Sequence, residues 1–115
     1  MNALKTNAVL QNGKYRIEGV LGQGGFGITY LASQVALNRK VTIKEFFMKE
    51  LCNRDEQTSQ VSVPSMGSVD TVARFRAKFV KEAQTIAALN NPHIIHIHDI
   101  FEENGTAYYV MDYLR

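Results

Sequence analysis

The chain has 115 residues, enough for one compact domain and too few for two of ordinary size. Hydrophobic residues make up 45% of the chain and charged residues 21%, which excludes an intrinsically disordered or collagen-like protein. Lys and Arg total 13 against 11 Asp and Glu, a formal net charge of +2. This balance gives no support for a dedicated nucleic-acid-binding protein.

The single cysteine, Cys52, excludes an intrachain disulfide and a cysteine-rich zinc site, and it fits a reducing environment. The N-terminal residues contain no apolar run of signal-peptide length, and 18 consecutive apolar residues occur nowhere. We therefore expect a cytoplasmic location, with neither a secretion signal nor a membrane segment.

Residues 1–13 show no periodic pattern, so a flexible N-terminal lead is expected.

β-prone residues over 15–21 and 28–32 flank a cluster of glycines, which predicts a hairpin with a glycine-rich turn. A third strand is predicted over 41–47. Alternation along it places Lys44 on one face and Val41, Ile43 and Glu45 on the other.

Residues 48–69 are polar and aperiodic, which predicts a long loop. An apolar stripe then predicts a helix over 71–89, and two β-prone runs predict strands over 94–101 and 106–114. The stripe consists of Val72, Phe75, Phe79, Ala83, Ile86 and Leu89. The predicted fold class is α+β: a five-stranded antiparallel sheet with one long helix, in the order β-β-β-α-β-β.

The segment Gly22–Gly27 contains the pattern G-x-G-x-x-G, which several unrelated nucleotide sites share. A dinucleotide fold needs a helix after the last glycine, whereas residues 28–31 are β-prone. A P-loop needs Lys and then Ser or Thr after Gly27, where this chain has Ile28. Two interpretations remain: a flap whose backbone N–H groups approach phosphates, or an ordinary glycine-rich hairpin.

Lys44 favours the first interpretation, because the next strand of such a sheet would place its ammonium beneath the flap, near phosphate oxygens. With this lysine, the sequence resembles the N-terminal lobe of eukaryotic-type protein kinases, especially the bacterial Ser/Thr kinases. The resemblance covers about residues 14–115. It is carried in family order by Leu21–Tyr30, Val41–Lys44, Glu82 within Phe79–Ala83, Asn91–Ile95 and Tyr109–Leu114.

The resemblance implies that Lys44 contacts the α- and β-phosphates of ATP and pairs with Glu82. The helix stripe also places Glu82 inward, where an unpaired carboxylate would be costly. Met111 resembles the gatekeeper behind the adenine, and Asp112–Leu114 resembles the hinge. The implied nucleotide-binding residues are Leu21, Gly22, Gly24, Gly25, Phe26, Gly27, Thr29, Thr42, Lys44, Met111, Asp112 and Leu114.

Three features depart from the family pattern. Thr29 and Thr42 stand where Val and Ala usually enclose the adenine. The separation of Lys44 from Glu82 by residues 45–81 is long and suggests an insertion before the helix. The usual His-Pro-Asn turn appears as Asn91-Pro92-His93.

The chain lacks the catalytic-loop Asp and Asn and the Asp-Phe-Gly Asp that phosphoryl transfer requires in this family. We therefore expect the lobe to be inactive alone and to belong to a longer kinase that transfers the γ-phosphate of ATP to protein Ser/Thr hydroxyls. The Mg²⁺ ligands are expected in a C-terminal lobe absent from this sequence. The alternative is a complete, non-catalytic binding module with a kinase-like fold.

Two further expectations concern metal binding and self-association of the lobe. His96 and His98 share a predicted strand face and could chelate a metal with a third ligand, but ordinary strand histidines are favoured because Asp99 points to the other face. No metal site is therefore predicted. An uncovered lobe face that includes Met111, Tyr113 and Leu114, or exchange of residues 48–69, favours self-association.

Overall fold

The computed structural model describes residues 2–89 and 95–114, which form a six-stranded antiparallel sheet, a two-stranded hairpin and one long helix. The sheet strands are β1 (Val9–Leu10), β2 (Tyr15–Gln23), β3 (Gly27–Gln34), β4 (Arg39–Phe46), β7 (Ile97–Glu103) and β8 (Thr106–Asp112). Their order across the sheet is β1-β2-β3-β4-β8-β7. The hairpin comprises β5 (Asn53–Arg54) and β6 (Val61–Ser62), and the helix is α1 (Val69–Ala88).

The predicted α+β class is confirmed, since all five predicted strands and the helix form in the predicted order. The sheet has one strand more than predicted, because β1 pairs antiparallel with the start of β2. The register places Lys44 of β4 between Thr29 of β3 and Tyr109 of β8. The central strand therefore carries the lysine that the sequence singled out.

The N-terminal residues differ from the expected flexible lead. Leu4 and Leu10 are buried in the core, and the backbone N–H of Leu4 donates a hydrogen bond to the Tyr30 hydroxyl at 2.9 Å. The backbone turns through positive φ at Asn7 (74°) and Asn12 (56°), which breaks any strand or helix periodicity. The segment therefore packs on the sheet although its sequence shows no regular pattern.

Residues 48–69 cover the face of the sheet opposite Lys44. Met48, Cys52 and Val61 are buried there in the same core as the N-terminal leucines. The backbone N–H of Val61 also donates to the carbonyl of Asn104, in the β7–β8 turn, at 2.7 Å. The predicted loop is thus a structured cover, and burial of its apolar side chains is what holds it in place.

Helix α1 packs on the Lys44 face through aromatic side chains. The ring centroid of Phe79 lies 5.7 Å from that of Phe46 and 5.0 Å from that of Tyr109. Within the described ranges, no helix is long and apolar enough to cross a membrane. The helix ends at Ala88, and the Asn91-Pro92-His93 turn lies outside the described residues.

Candidate functional site

A cavity of about 610 Å³ lies between the glycine flap, the Lys44 face of the sheet and helix α1. It brings together seven of the residues predicted to form the site: Gly24, Gly25, Phe26, Gly27, Thr29, Lys44 and Glu82. The sequence did not assign a site role to the seven others that line it: Ile28, Glu45, Phe46, Phe75, Lys78, Phe79 and Tyr109. Phe75 and Phe79 belong to the apolar stripe of the helix, which could have indicated them.

The flap is closed by a tight turn in which the N–H of Gly24 donates to the carbonyl of Gly27 at 2.9 Å. Its tip is fixed from outside: the carbonyls of Gly25 and Phe26 accept from the backbone N–H groups of Lys49 (3.1 Å) and Phe47 (2.9 Å). No described residue accepts a hydrogen bond from the N–H of Gly25 or Phe26. Two backbone donors at the flap tip are therefore available to a ligand.

The glycines of the flap have different structural roles. A Cβ on Gly27 would lie 2.9 Å from the carbonyl oxygen of Glu45, so close packing against β4 requires glycine there. A Cβ on Gly22, Gly24 or Gly25 would meet no atom within 4 Å. Protein packing therefore does not explain these three glycines, whereas close approach of a ligand to the backbone would.

Lys44 extends from the sheet wall of the cavity and is half-buried. Its Nζ lies 6.0 Å from the ring centroid of Tyr109, at the outer limit of a cation–π contact. Lys44 forms no ion pair with any residue that the structure describes. Its charge therefore remains available for an anion in the cavity.

Glu82 lines the cavity but is less buried than the helix stripe predicts. Its side chain is exposed, and no ion pair joins it to Lys44, although both residues line the cavity. The predicted inward placement therefore holds only in part: Glu82 reaches the cavity, but the fully buried position is that of the neighbouring Ala83. Water solvates the carboxylate, so it needs no cationic partner in this conformation.

No family model matches the chain. PrkC of Bacillus subtilis, a serine/threonine-protein kinase, is 32% identical over 104 residues, which cover 90% of this chain and 13% of that protein. Serine/threonine-protein kinase B of Synechocystis is 29% identical over 110 residues, covering 95% of this chain and 17% of that protein.

The solved structure of PpkA-294 in its apo form aligns with a TM-score of 0.91 and 28% identity, covering 98% of this chain and 39% of that one. The chain matches the N-terminal lobe of bacterial serine/threonine protein kinases. The kinase domain of Mycobacterium tuberculosis PknI also aligns, with a TM-score of 0.63 and 25% identity over 97% of this lobe and 36% of that chain. The resemblance inferred from the motifs is thereby confirmed.

The remaining predicted site residues of the kinase lobe lie outside the cavity. Thr42 is buried and pairs in register with Met111, so these two side chains share the Lys44 face. Leu21 and Leu114 are exposed. Gly22, at the start of the flap, and Asp112, at the end of β8, also do not line it. The structure thus encloses the phosphate end of the predicted site and leaves the adenine end open.

The side chain of Asp112 is held by both edge histidines. One oxygen lies 2.6 Å from Nε2 of His98, and the other lies 3.2 Å from Nδ1 of His96 and accepts from the His96 backbone N–H at 3.1 Å. Burial raises the pKa of the Asp112 carboxyl, but these hydrogen bonds outweigh that effect and hold the pKa below its usual value. Residues 2–89 and 95–114 contain no cluster of three ligands that could hold a metal ion.

Directly behind Lys44, on the opposite face of the sheet, lies a buried acid that the sequence analysis did not identify as important. Glu45 is fully buried and accepts hydrogen bonds from the Tyr30 hydroxyl (2.7 Å), the Tyr108 hydroxyl and Nη2 of Arg54 (2.5 Å). Arg54 also donates to the carbonyls of Asn2 and Ser59, both at 2.7 Å. One network therefore joins the N-terminal segment, the β5–β6 hairpin and three sheet strands.

The protonation states of this network follow from its burial. Burial, and then the charge of Glu45, raise the pKa of Tyr30 and Tyr108 above the usual range, so both hydroxyls remain donors. Burial opposes the charge of Arg54, but attraction to Glu45 and the hydrogen bond between them raise the pKa of the guanidinium. The alternation that placed Glu45 with Val41 and Ile43 could have indicated this site, because a buried acid requires a partner.

Proposed function

We propose that this kinase lobe binds ATP, with the phosphate chain beneath the glycine flap. The observation that carries the proposal is the meeting of two kinds of phosphate-binding group in one cavity. The backbone N–H groups of Gly25 and Phe26 have no acceptor among the described residues, and the ammonium of Lys44 has no carboxylate partner there. Backbone donors and an ammonium together suit the oxygens of a polyphosphate.

The resemblance to kinases supplies the orientation of the nucleotide in this proposal. The adenine would lie at the open end of the site, against Leu21, Thr42 and Met111, and the backbone of Asp112–Leu114 would pair with its edge. Thr29 and Thr42 make the environment of the base more polar than the Val and Ala usual in the family. The side chain of Asp112 is already bound by His96 and His98, which leaves backbone groups as the contacts to the base.

The wider proposal concerns a longer protein that carries this lobe. In it, Lys44 would stabilise charge on the phosphates while the γ-phosphoryl group is transferred to a Ser or Thr hydroxyl of a protein substrate. Mg²⁺ accompanies ATP in such reactions. Residues 2–89 and 95–114 provide no ligand cluster for it, and the resemblance to kinases implies that its ligands would lie in a C-terminal lobe of the longer protein.

Titration of the chain with ATP, followed by calorimetry, tests the proposal. Lys44→Met should raise the Kd for ATP at least about tenfold, because a charged hydrogen-bond donor to the phosphates is lost. Lys40→Met is the matched control: Lys40 lies on the same strand but outside the cavity, and pairs with Glu18 at 2.6 Å. It should leave the Kd unchanged. Equal affinity of wild type and Lys44→Met would refute the assignment.

A further inference from the structure

A second cation lines the same cavity from the opposite wall. Lys78 lies on helix α1, and its side chain lines the cavity together with the flap residues Gly24–Gly27 and with Lys44. Lys78 is exposed and forms no ion pair with a described residue, including Glu82 one turn further along the helix. With respect to the described residues, the cavity therefore has one ammonium without an ion pair on its sheet wall and another on its helix wall.

An aromatic contact links Lys78 to the flap. The Nζ of Lys78 lies 5.6 Å from the ring centroid of Phe75, within the range of a cation–π interaction. The Phe75 ring in turn packs against Phe26 at the flap tip, with 5.5 Å between their centroids. Phe26 is one of the two flap residues whose N–H has no acceptor among the described residues. The ammonium of Lys78 and the flap tip therefore contact the same aromatic ring, that of Phe75.

The charge balance of the cavity favours an anion that reaches both walls. Two acidic residues, Glu45 and Glu82, contribute to the lining. The carboxylate of Glu45 is bound by Arg54 on the far face of the sheet, so within the described lining only that of Glu82 opposes the two lysines. An AMP-sized anion carries one phosphate group, whereas a triphosphate carries a longer row of charged oxygens that can meet two separated cations.

We propose that Lys78 is a second phosphate-binding residue of this cavity, contacting the phosphate chain of the nucleotide from the helix wall. The inference rests on the proposed function, since it requires a nucleotide polyphosphate beneath the flap. In this proposal, Lys44 and the flap N–H groups bind the phosphate chain of the nucleotide from the sheet side. Lys78 contacts the same phosphate chain from the helix side. The nucleotide then draws helix α1 and the flap together through the Phe26–Phe75 contact.

The test compares ATP and AMP binding to the wild-type chain and to three variants, by calorimetry at low ionic strength. Lys78→Gln should weaken ATP binding about threefold to fivefold, the range for an exposed ion pair, and leave AMP binding unchanged. Lys78→Arg should retain the wild-type preference for ATP. Lys81→Gln is the matched control, because Lys81 is exposed on the same helix but does not line this cavity, and it should change neither affinity.

The outcomes separate this inference from the proposed function. Suppose that the wild-type chain binds ATP and that Lys44→Met weakens this binding. If Lys78→Gln then binds ATP with wild-type affinity, the role of Lys78 is refuted and the proposed function stands. An equal loss for ATP and AMP in Lys78→Gln, or an equal loss in Lys81→Gln, also refutes it, because the effect would not depend on the phosphate chain. Failure of wild type to bind ATP refutes both.

Discussion

Lys44 and Glu45 are neighbours in β4, and strand alternation directs them to opposite faces of the sheet. Lys44 faces the cavity, whereas Glu45 is bound behind it by Arg54, Tyr30 and Tyr108. In the described residues, no buried side-chain nitrogen or oxygen lacks a hydrogen-bond partner. The strand that carries the cavity lysine, Lys44, is therefore fixed from the opposite face by a fully satisfied polar network.

Replacing Arg54 tests the strength of this network. Arg54→Met should lower the free energy of unfolding by about 3 kcal/mol, because the buried charge of Glu45 loses its only cationic partner among the described residues. The measurement is urea denaturation at neutral pH. Arg39→Met is the matched control, since exposed Arg39 makes one side-chain hydrogen bond, to Gln34, and should change stability by less than about 0.5 kcal/mol. Equal stabilities of the two variants would contradict the account.

Strand β8 and the start of β7 are joined by the contacts of Asp112 with His96 and His98, at the edge of the sheet where the kinase hinge is expected. The pKa of Asp112 is lower in the folded chain than its ordinary value. Its contribution to stability is therefore present above the unfolded pKa of about 4 and is lost as the pH falls through the folded value. This edge should weaken in acid.

The predicted effect is measurable as a difference in pH dependence. In Asp112→Asn, the loss of unfolding free energy between pH 5 and pH 3 should be smaller than in wild type, because the linked protonation is removed. Denaturant titrations at the two pH values give the comparison. Glu102→Gln, which removes an exposed acid from β7 with no ion pair in the described residues, serves as control and should keep the wild-type slope. If the unfolding free energy of Asp112→Asn changed between pH 5 and pH 3 as much as that of wild type, Asp112 would not be the source of the pH dependence.

Local sequence patterns predicted the strands, the helix and the glycine flap, because each depends on neighbours in the chain. Alternation in β4 was sufficient to place Lys44, and the flap followed from glycines between two β-prone runs. The packing of Leu4 and Arg54 could not be predicted in this way, because both lie in aperiodic segments whose partners are distant in sequence. The stripe correctly placed Ala83 in the core, but it could not predict that the side chain of the neighbouring Glu82 is exposed to solvent.

At the scale of the whole molecule, the two faces of the sheet are covered differently. The N-terminal segment and residues 48–69 bury the back face, and the flap and helix α1 leave a cavity on the front. Self-association remains a prediction. Leu21 and Leu114 expose 49% and 64% of their solvent-accessible surface, and self-association would cover these apolar side chains.

The central claim, that the front cavity binds the phosphate chain of ATP, is tested most directly by amide NMR of the labelled chain during ATP titration. The account predicts that the largest shift changes occur at Gly24–Gly27, Lys44 and Tyr109, while amides of the back face, such as Val61, remain unchanged. Lys44→Met should reduce these changes at equal ATP concentration. Changes centred on the back face, or none at the flap at millimolar ATP, would contradict the claim.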